Sequence, residues 1–433
     1  MVSAAFPPTG GPGVQRSLKF AKYLPQFGWL PTVWAAETLA GLPSDPTLLD
    51  DLPPEITVHR WNRIGPAQKL RRALPRRFAV AKAIDWRLEK WIARNAWPDT
   101  CSVWARTGEA AARRVIERER IDLIYSTFSP PSNHQLALQL KRQTGLPWVA
   151  DFRDLWTDDH HYRPPSQQSR KADARLQEEI LNEADAVIAV TPRQTEILAN
   201  HVPALRHKFS TITNGFDPDD FREDLPANTR DQPPFVLAYV GRMDRRGPED
   251  VWLAALKNLA ERLGPARDSF LLRIVGHADR GTLAAIREAG VPHTFTGYVA
   301  HAEAVREMRS ADALLLLPFD GPNAGSVIRA KLFEYLAAQR PIVAVGPRDG
   351  ETAKIVRCCG AGVTVSPDAK AIGSALYELV ERRRAGEPLR GCPPEQLEPF
   401  SRVTLTERLA SVFNGLVAGA PSPACSVGPP WPT

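Results

Sequence analysis

No stretch of the chain approaches the roughly 20 consecutive apolar residues that a bilayer-spanning helix needs, which excludes an integral helical membrane protein. Cysteine is scarce: Cys101, Cys358, Cys359, Cys392 and Cys425 form an odd set with no CxxC spacing. Neither a disulfide framework nor a zinc site fits that pattern. The opening Met1-Val2-Ser3-Ala4-Ala5-Phe6-Pro7-Pro8 has no basic n-region and no long apolar core, so a signal peptide is not expected there. No HExxH occurs, and His134, His160, His161 and His277 repeat no metal-binding spacing. Nor is charge heavily one-sided. A net +6 suits acidic ligands or an anionic surface and does not imply nucleic acid. These absences predict a cytosolic protein without a resident metal or cofactor.

What is present is ordinary globular composition, 43% hydrophobic and 24% charged, over 433 residues, a length that suggests two or three domains. Short apolar runs alternate with helical patterns. Candidate strands are Thr32–Trp34, Ile56–Trp61, Ile121–Ser126, Trp148–Phe152, Ala186–Val190 and Ser210–Thr213, then Phe235–Gly241, Leu271–Gly276, Thr294–Thr296, Ala313–Pro318, Ile342–Val345 and Gly362–Val365. A further strand at the start would hold only Val2–Phe6. Runs such as Val236-Leu237-Ala238-Tyr239-Val240 are apolar throughout, which marks strands covered on both faces and hence parallel sheets flanked by helices. Alternation repeated twice predicts two doubly wound lobes, 1–217 and 235–395. The polar, proline-rich 218–234 reads as their linker, 396–417 as an amphipathic helix carrying Leu405, Leu409, Val412 and Phe413, and 418–433 as an unfolded tail.

In open parallel sheets, ligands bind at the carboxyl ends of strands. Four segments fall there. Gly10, Gly11 and Gly13 lie between the first strand and a helical pattern, where glycine lets a backbone approach a ligand. Gly241, Arg242, Arg245 and Arg246 follow the strand Phe235–Val240 and suit a phosphate clamp. Ser326 can cap a helix whose first N–H groups, at Val327, Ile328 and Arg329, would point at an anion. Glu334 in that helix is placed either to accept hydrogen bonds from ribose or to pair with Lys331 at i,i+3. Asp151, Arg153 and Asp154 close another strand, as ligand contacts or as a structural Asp–Arg pair.

Residues 60–94 stand apart, with eleven Arg or Lys against Asp85 and Glu89. Five of the eleven tryptophans, Trp61, Trp86, Trp91, Trp97 and Trp104, fall within or just after this window. Part of that pattern is explained by a helix packed on the sheet through Trp86, Leu88 and Ile92. The remainder predicts peripheral contact of 60–104 with an anionic membrane surface.

In order and spacing, several motifs resemble retaining GT-B glycosyltransferases of family 4. They are Phe6-Pro7-Pro8-Thr9-Gly10-Gly11, Asp151-Phe152-Arg153-Asp154-Leu155-Trp156, Thr213-Asn214-Gly215-Phe216-Asp217, Gly241-Arg242 with Arg246-Gly247, and Lys331-Leu332-Phe333-Glu334-Tyr335-Leu336-Ala337. The resemblance implies an α/β GT-B fold, two Rossmann-like lobes facing a central cleft, and metal-independent transfer of a sugar from a nucleotide-diphosphate donor to a glycan or lipid-linked acceptor. It implies that Arg242 and Arg246 bind the diphosphate and Glu334 the ribose. Gly241, Arg245, Gly276, Ser326, Val327, Ile328, Arg329 and Lys331 would complete the donor side. Gly10, Gly11, Gly13, His134, Asp151, Arg153 and Asp154 would line the acceptor side. Ser326 replaces the first glutamate of the family's Glu-x7-Glu motif. That departure leaves open a catalytically idle binding subunit, and two such lobes also suit a sugar-nucleotide 2-epimerase.

Overall fold

The structure is a computed structural model that describes residues 1–37, 39, 42, 44–61, 96–159, 162–222, 234–243, 251–317 and 323–418. Its contacts form two compact units, Met1–Thr213 with the last helix from Leu405, and Asn214–Thr404. Most of 60–104, His160, His161, Arg245, Arg246 with Gly247, and the tail beyond residue 418 lie outside the described residues.

The first unit contains the parallel strands β1 (Thr32–Ala36), β2 (Thr57–Trp61), β3 (Ile124–Phe128), β4 (Trp148–Phe152), β5 (Ala186–Ala189) and β6 (Phe209–Thr211). Regular pairing is interrupted between β1 and β3, and the chain start fills that gap. Val2 bridges to both Trp34 and Ser126, the Ser3 N–H donates to Trp34 O at 3.1 Å, and the Ala36 N–H donates to Ala4 O at 3.1 Å. The expected first strand is thus an extended segment in the middle of the sheet rather than a regular strand. Helices α1 (Pro12–Tyr23), α2 (Ser102–Glu119), α3 (Pro131–Thr144), α4 (Gln167–Glu183) and α5 (Pro192–Ala199) alternate with the strands. Side chains alternate across the pleat, so each face gathers its own core. Trp148, Phe152 and Phe128 pack with Leu136, Leu140 and Ile180 on one face. Tyr125, Val149 and Ile188 pack with Phe20 and Leu24 on the other.

The second unit has the parallel strands β7 (Phe235–Val240), β8 (Phe270–Val275), β9 (His293–Phe295), β10 (Ala313–Leu316), β11 (Ile342–Val345) and β12 (Gly362–Val365), in the order β12-β11-β10-β7-β8-β9. Helices α6 (Val251–Leu263), α7 (Arg280–Glu288), α8 (His301–Ser310), α9 (Lys331–Ala337), α10 (Glu351–Cys358) and α11 (Ala369–Arg384) connect them. All six β7 residues are buried, as the continuous apolar run requires. One face carries Leu332, Phe333 and Leu336 of α9, and the other carries Leu256 and Leu259 of α6 with Leu376 of α11.

The final helix, α12 (Arg402–Val417), places Leu405, Leu409, Val412 and Phe413 on Phe20, Tyr125 and Val149 of the first unit. Its sequence pattern names the buried face but not its partners, which lie far upstream in the chain. The units divide at Thr213/Asn214, slightly before the expected linker, because Phe216 already pairs with Ser401 and bonds to Phe400 O at 3.1 Å within the second unit.

Each sheet places its first strand centrally, with the next strands to one side and the fourth to the other. Such a reversal leaves a crevice at the carboxyl ends, between the Val2–Phe6 segment and β3 in one unit and between β7 and β10 in the other. No helix among the described residues is long and apolar enough to cross a membrane.

Candidate functional site

The crevice of the second unit gathers much of the expected donor side. β7 and β10 pair only at Ala313–Leu237 and Leu314–Ala238, so the two strands part before Val240. Gly241 follows with φ of 117°, in the region that disfavours side chains, and its N–H donates to Val275 O at 2.7 Å. Gly276, at φ 123°, lies directly against it, since a Cβ on Gly276 would collide with the Gly241 carbonyl. Two glycines therefore keep this floor low. Arg242 is exposed at the same end, its carbonyl fixed by the Tyr239 hydroxyl at 2.7 Å.

Helix α9 enters from the opposite side. The Lys331 ammonium donates to Val240 O at 2.6 Å and lies 4.0 Å from the centre of the Tyr239 ring. Its charge also acts on Glu334 at i,i+3, where it helps to hold that carboxyl down. Glu334 is half-buried in the first turn of α9. Burial raises its carboxyl above the usual range, and His301 chiefly opposes that rise. His301 itself contacts Asp220 at 3.1 Å.

Ser326 does not cap the helix. It sits in a short turn, Ala324–Ser326, with its hydroxyl donating back to Asn323 O at 2.7 Å, and α9 starts only at Lys331. Val327 is extended (φ −99°, ψ 133°), and its N–H donates to Ala324 O at 3.2 Å. Ser326 and Ile328 are buried while Val327 and Arg329 are partly exposed. That period-two burial belongs to an extended segment, so the expected row of free N–H groups at Val327–Arg329 is not formed as a helix start.

In the first unit, Gly11 (φ 118°) precedes α1, and Gly13 lies in its first turn. A Cβ on Gly13 would run into the Arg153 guanidinium. Arg153 donates to Phe128 O and lies 4.0 Å from the exposed Asp154 carboxylate. The crevice thus brings Gly10, Gly11, Gly13, Arg153 and Asp154 to one end of the sheet. Asp151 and His134 are placed otherwise. Both Asp151 oxygens are engaged by Arg16, at 2.7 and 3.0 Å, and Tyr125 donates to one of them at 2.5 Å. Arg16 also donates to Thr213 O at 2.7 Å and to Ile212 O at 2.9 Å. Burial opposes the Arg16 charge, but Asp151 outweighs it and raises the guanidinium pKa. The Asp–Arg pair anticipated as structural therefore exists, with Arg16 rather than Arg153 as the cation. His134 is fully buried between Phe128, Phe152 and Trp148. Burial pushes its pKa down to about 3. Because Trp148 Nε1 donates to Ser126 Oγ, the serine hydroxyl can donate in turn to His134 Nδ1 at 2.8 Å, which suits a neutral ring in the core.

Sequence reading assigned no role to Tyr335, Tyr239 or Arg16, and it wrongly took the chain to hold no Asp-x-Asp triplet. Asp217-Pro218-Asp219 has the Asp-x-Asp spacing of some metal sites. Here the Asp217 side chain accepts from the Asp219 N–H at 2.9 Å and closes a turn.

Two Rossmann-like α/β units in one chain define the GT-B fold. Among solved structures, the chain is similar to sucrose-phosphate synthase from Thermosynechococcus elongatus, with a TM-score of 0.67 and 17% identity over 97% of this chain and 98% of that one. Anabaena HepE in complex with UDP and glucose gives 0.57 and 16% over 95% and 98%. WaaG, a glycosyltransferase involved in lipopolysaccharide biosynthesis, gives 0.55 and 14% over 98% and 99%. At these identities the likeness is one of fold. Comparison with curated protein sequences finds no match. The profile of the glycosyl transferase 4-like domain matches residues 10–215, and that of glycosyl transferases group 1 matches residues 234–382. The chain belongs to the group 1 glycosyltransferases of the GT-B type, with a 4-like domain as its first half.

Proposed function

We propose that this glycosyltransferase moves a hexose-type sugar from a nucleoside-diphosphate donor to a glycan or lipid-linked acceptor in surface polysaccharide or glycolipid assembly, with retention and without a metal. The carrying observation is the β7–β10 crevice, where a low glycine floor, Arg242, Lys331 and the Glu334 carboxylate converge. In transfer, the bond from the anomeric carbon to the diphosphate breaks and a bond to the acceptor oxygen forms. The acceptor proton passes to the departing phosphate oxygen. Negative charge grows on the leaving diphosphate, and fixed cations there stabilise the transition state more than the ground state. Arg242, with Arg246, fills that role, and Glu334 holds the ribose. HepE, which shares the fold, was solved with UDP-glucose, which supports a nucleotide sugar as donor. The test is incubation with UDP-, GDP-, ADP- and dTDP-sugars and candidate acceptors in EDTA. Acceptor-dependent release of nucleoside diphosphate that survives EDTA is expected. Loss of turnover in EDTA, restored by manganese or magnesium, would contradict metal independence. Isomerised sugar without acceptor would favour an epimerase, and no reaction at all an idle subunit.

The same reading places the protein at the inner face of a membrane, where a lipid-linked acceptor presents its sugar. Its support is the sequence of 60–104, of which 62–95 lie outside the described residues. Basic side chains contribute about 1 kcal/mol each near anionic lipid, and tryptophan favours the headgroup zone. The protein is expected to float with anionic vesicles at low salt and to be released at high salt. A protein that stays soluble at low salt, or floats equally after Arg71, Arg72, Arg76 and Arg77 all become glutamate, would end the membrane reading.

A further inference from the structure

A cleft of about 730 Å³ opens in the first unit, between the β1–β2 pair and the second half of α2. That volume falls within the range of small-ligand sites, about 300–1,000 Å³. Its apolar wall is a pair of indoles, the Trp34 and Trp61 rings, stacked with centres 5.8 Å apart. Gly108 lets α2 approach them, since a Cβ there would stand 3.1 Å from each ring. Trp61 Nε1 donates to Thr107 Oγ1 at 3.2 Å. Trp34 is only 7% exposed, and its Nε1–H has no acceptor among the described residues. A buried donor left unpaired is costly, so such a group calls for explanation.

The charge along the cleft is one-sided. Arg60, Arg114 and Arg118 line it with Glu117, and Glu117 is already paired with Arg113. Arg118 pairs with Glu119 at 2.9 Å, whereas Arg114 is exposed and makes no ion pair among the described residues. Arg114 and Arg118 are four residues apart on one helix face, where like charges repel and an anion between them removes the repulsion. The Arg60 guanidinium donates to Pro7 O, and to Ala36 O at 3.3 Å, which joins the cleft to the turn leading into Gly10, Gly11 and Gly13.

We propose that this cleft is a second glycan-binding site, which takes a segment of an acidic oligosaccharide. The C–H face of a pyranose ring lies flat on an indole, its hydroxyl oxygens accept from N–H donors, and a uronate carboxylate pairs with the free Arg114 guanidinium. The site is separate from the donor crevice of the second unit. Holding sugars remote from the reacting one would favour long acceptors over short ones, and that consequence alone rests on the glycan-acceptor reading above.

Calorimetric titration of the full chain without any donor tests it, with tetragalacturonate as the probe and its methyl ester as the uncharged counterpart. Tetragalacturonate is expected to bind at low salt, to weaken as salt rises, and to bind at least tenfold more tightly than the ester. Arg114→Gln should weaken it about fivefold to tenfold, and Trp61→Leu about tenfold or more. Arg114→Gln alters an exposed side chain, so it decides the matter should the leucine variant not fold. Arg193→Gln, an exposed position on α5, should change nothing. No binding of tetragalacturonate, equal affinity for the ester, or wild-type affinity in Arg114→Gln would overturn the site. Phosphatidylglycerol vesicles that bind through Arg114 while tetragalacturonate does not would assign the cleft to lipid and overturn the glycan proposal. A protein that binds tetragalacturonate as expected but transfers no sugar would end the donor reading and leave this site standing.

Discussion

Replacing Arg242 with alanine is expected to lower turnover about 100- to 1000-fold, the typical cost of one donor aimed at developing charge. The side chain is exposed, so its removal should change stability by no more than about 0.5 kcal/mol. Its backbone is held independently of the guanidinium, because the Tyr239 hydroxyl bonds to the Arg242 carbonyl. A kinetic loss without a structural one is the expected signature. Steady-state rates beside a melting curve provide the check, and near wild-type turnover would remove Arg242 from the mechanism.

The second large effect falls on stability. Arg16→Met should destabilise the first unit by about 3–5 kcal/mol, the usual consequence of stranding one member of a buried ion pair. Arg16 is 1% exposed and Asp151 is 0% exposed, and the guanidinium also satisfies the carbonyls of Ile212 and Thr213. Adding Asp151→Leu removes the stranded carboxylate, so the double variant should regain part of the loss. Urea unfolding of the two single variants and the double variant measures the coupling. Additive losses would show that the pair does not act as a unit.

Elements defined by continuous apolar runs were legible in the sequence. Phe235–Val240 and Ile342–Val345 lie where their burial pattern places them, since a strand covered on both faces leaves no polar position. Gly241 and Gly276 were legible as the ends of their strands, and the structure adds that each takes a backbone that other residues resist. What escaped was decided by distant contacts. Asp151 meets Arg16 across 135 residues of chain, and His134 is enclosed by aromatic rings from neighbouring strands. Nothing in local spacing separates these from ligand-facing polar residues. Ser326 misled for a local reason. Serine before an apolar run fits a helix cap, but Ser326 and Ile328 are buried together with Val327 extended between them, and α9 begins only at Lys331. Tyr335 hides inside an apolar stretch, and its hydroxyl gains a task only where β7 and β10 part.

A nucleoside diphosphate is expected to bind at the carboxyl ends of β7 and β10. Crystals of the full chain soaked with whichever of UDP, GDP or ADP binds in solution would show this. The diphosphate is expected between Gly241 and the start of α9, with an oxygen within hydrogen-bond distance of Lys331 Nζ and the ribose against Glu334. A diphosphate seated anywhere else on the chain, with the β7–β10 crevice unchanged, would contradict the account.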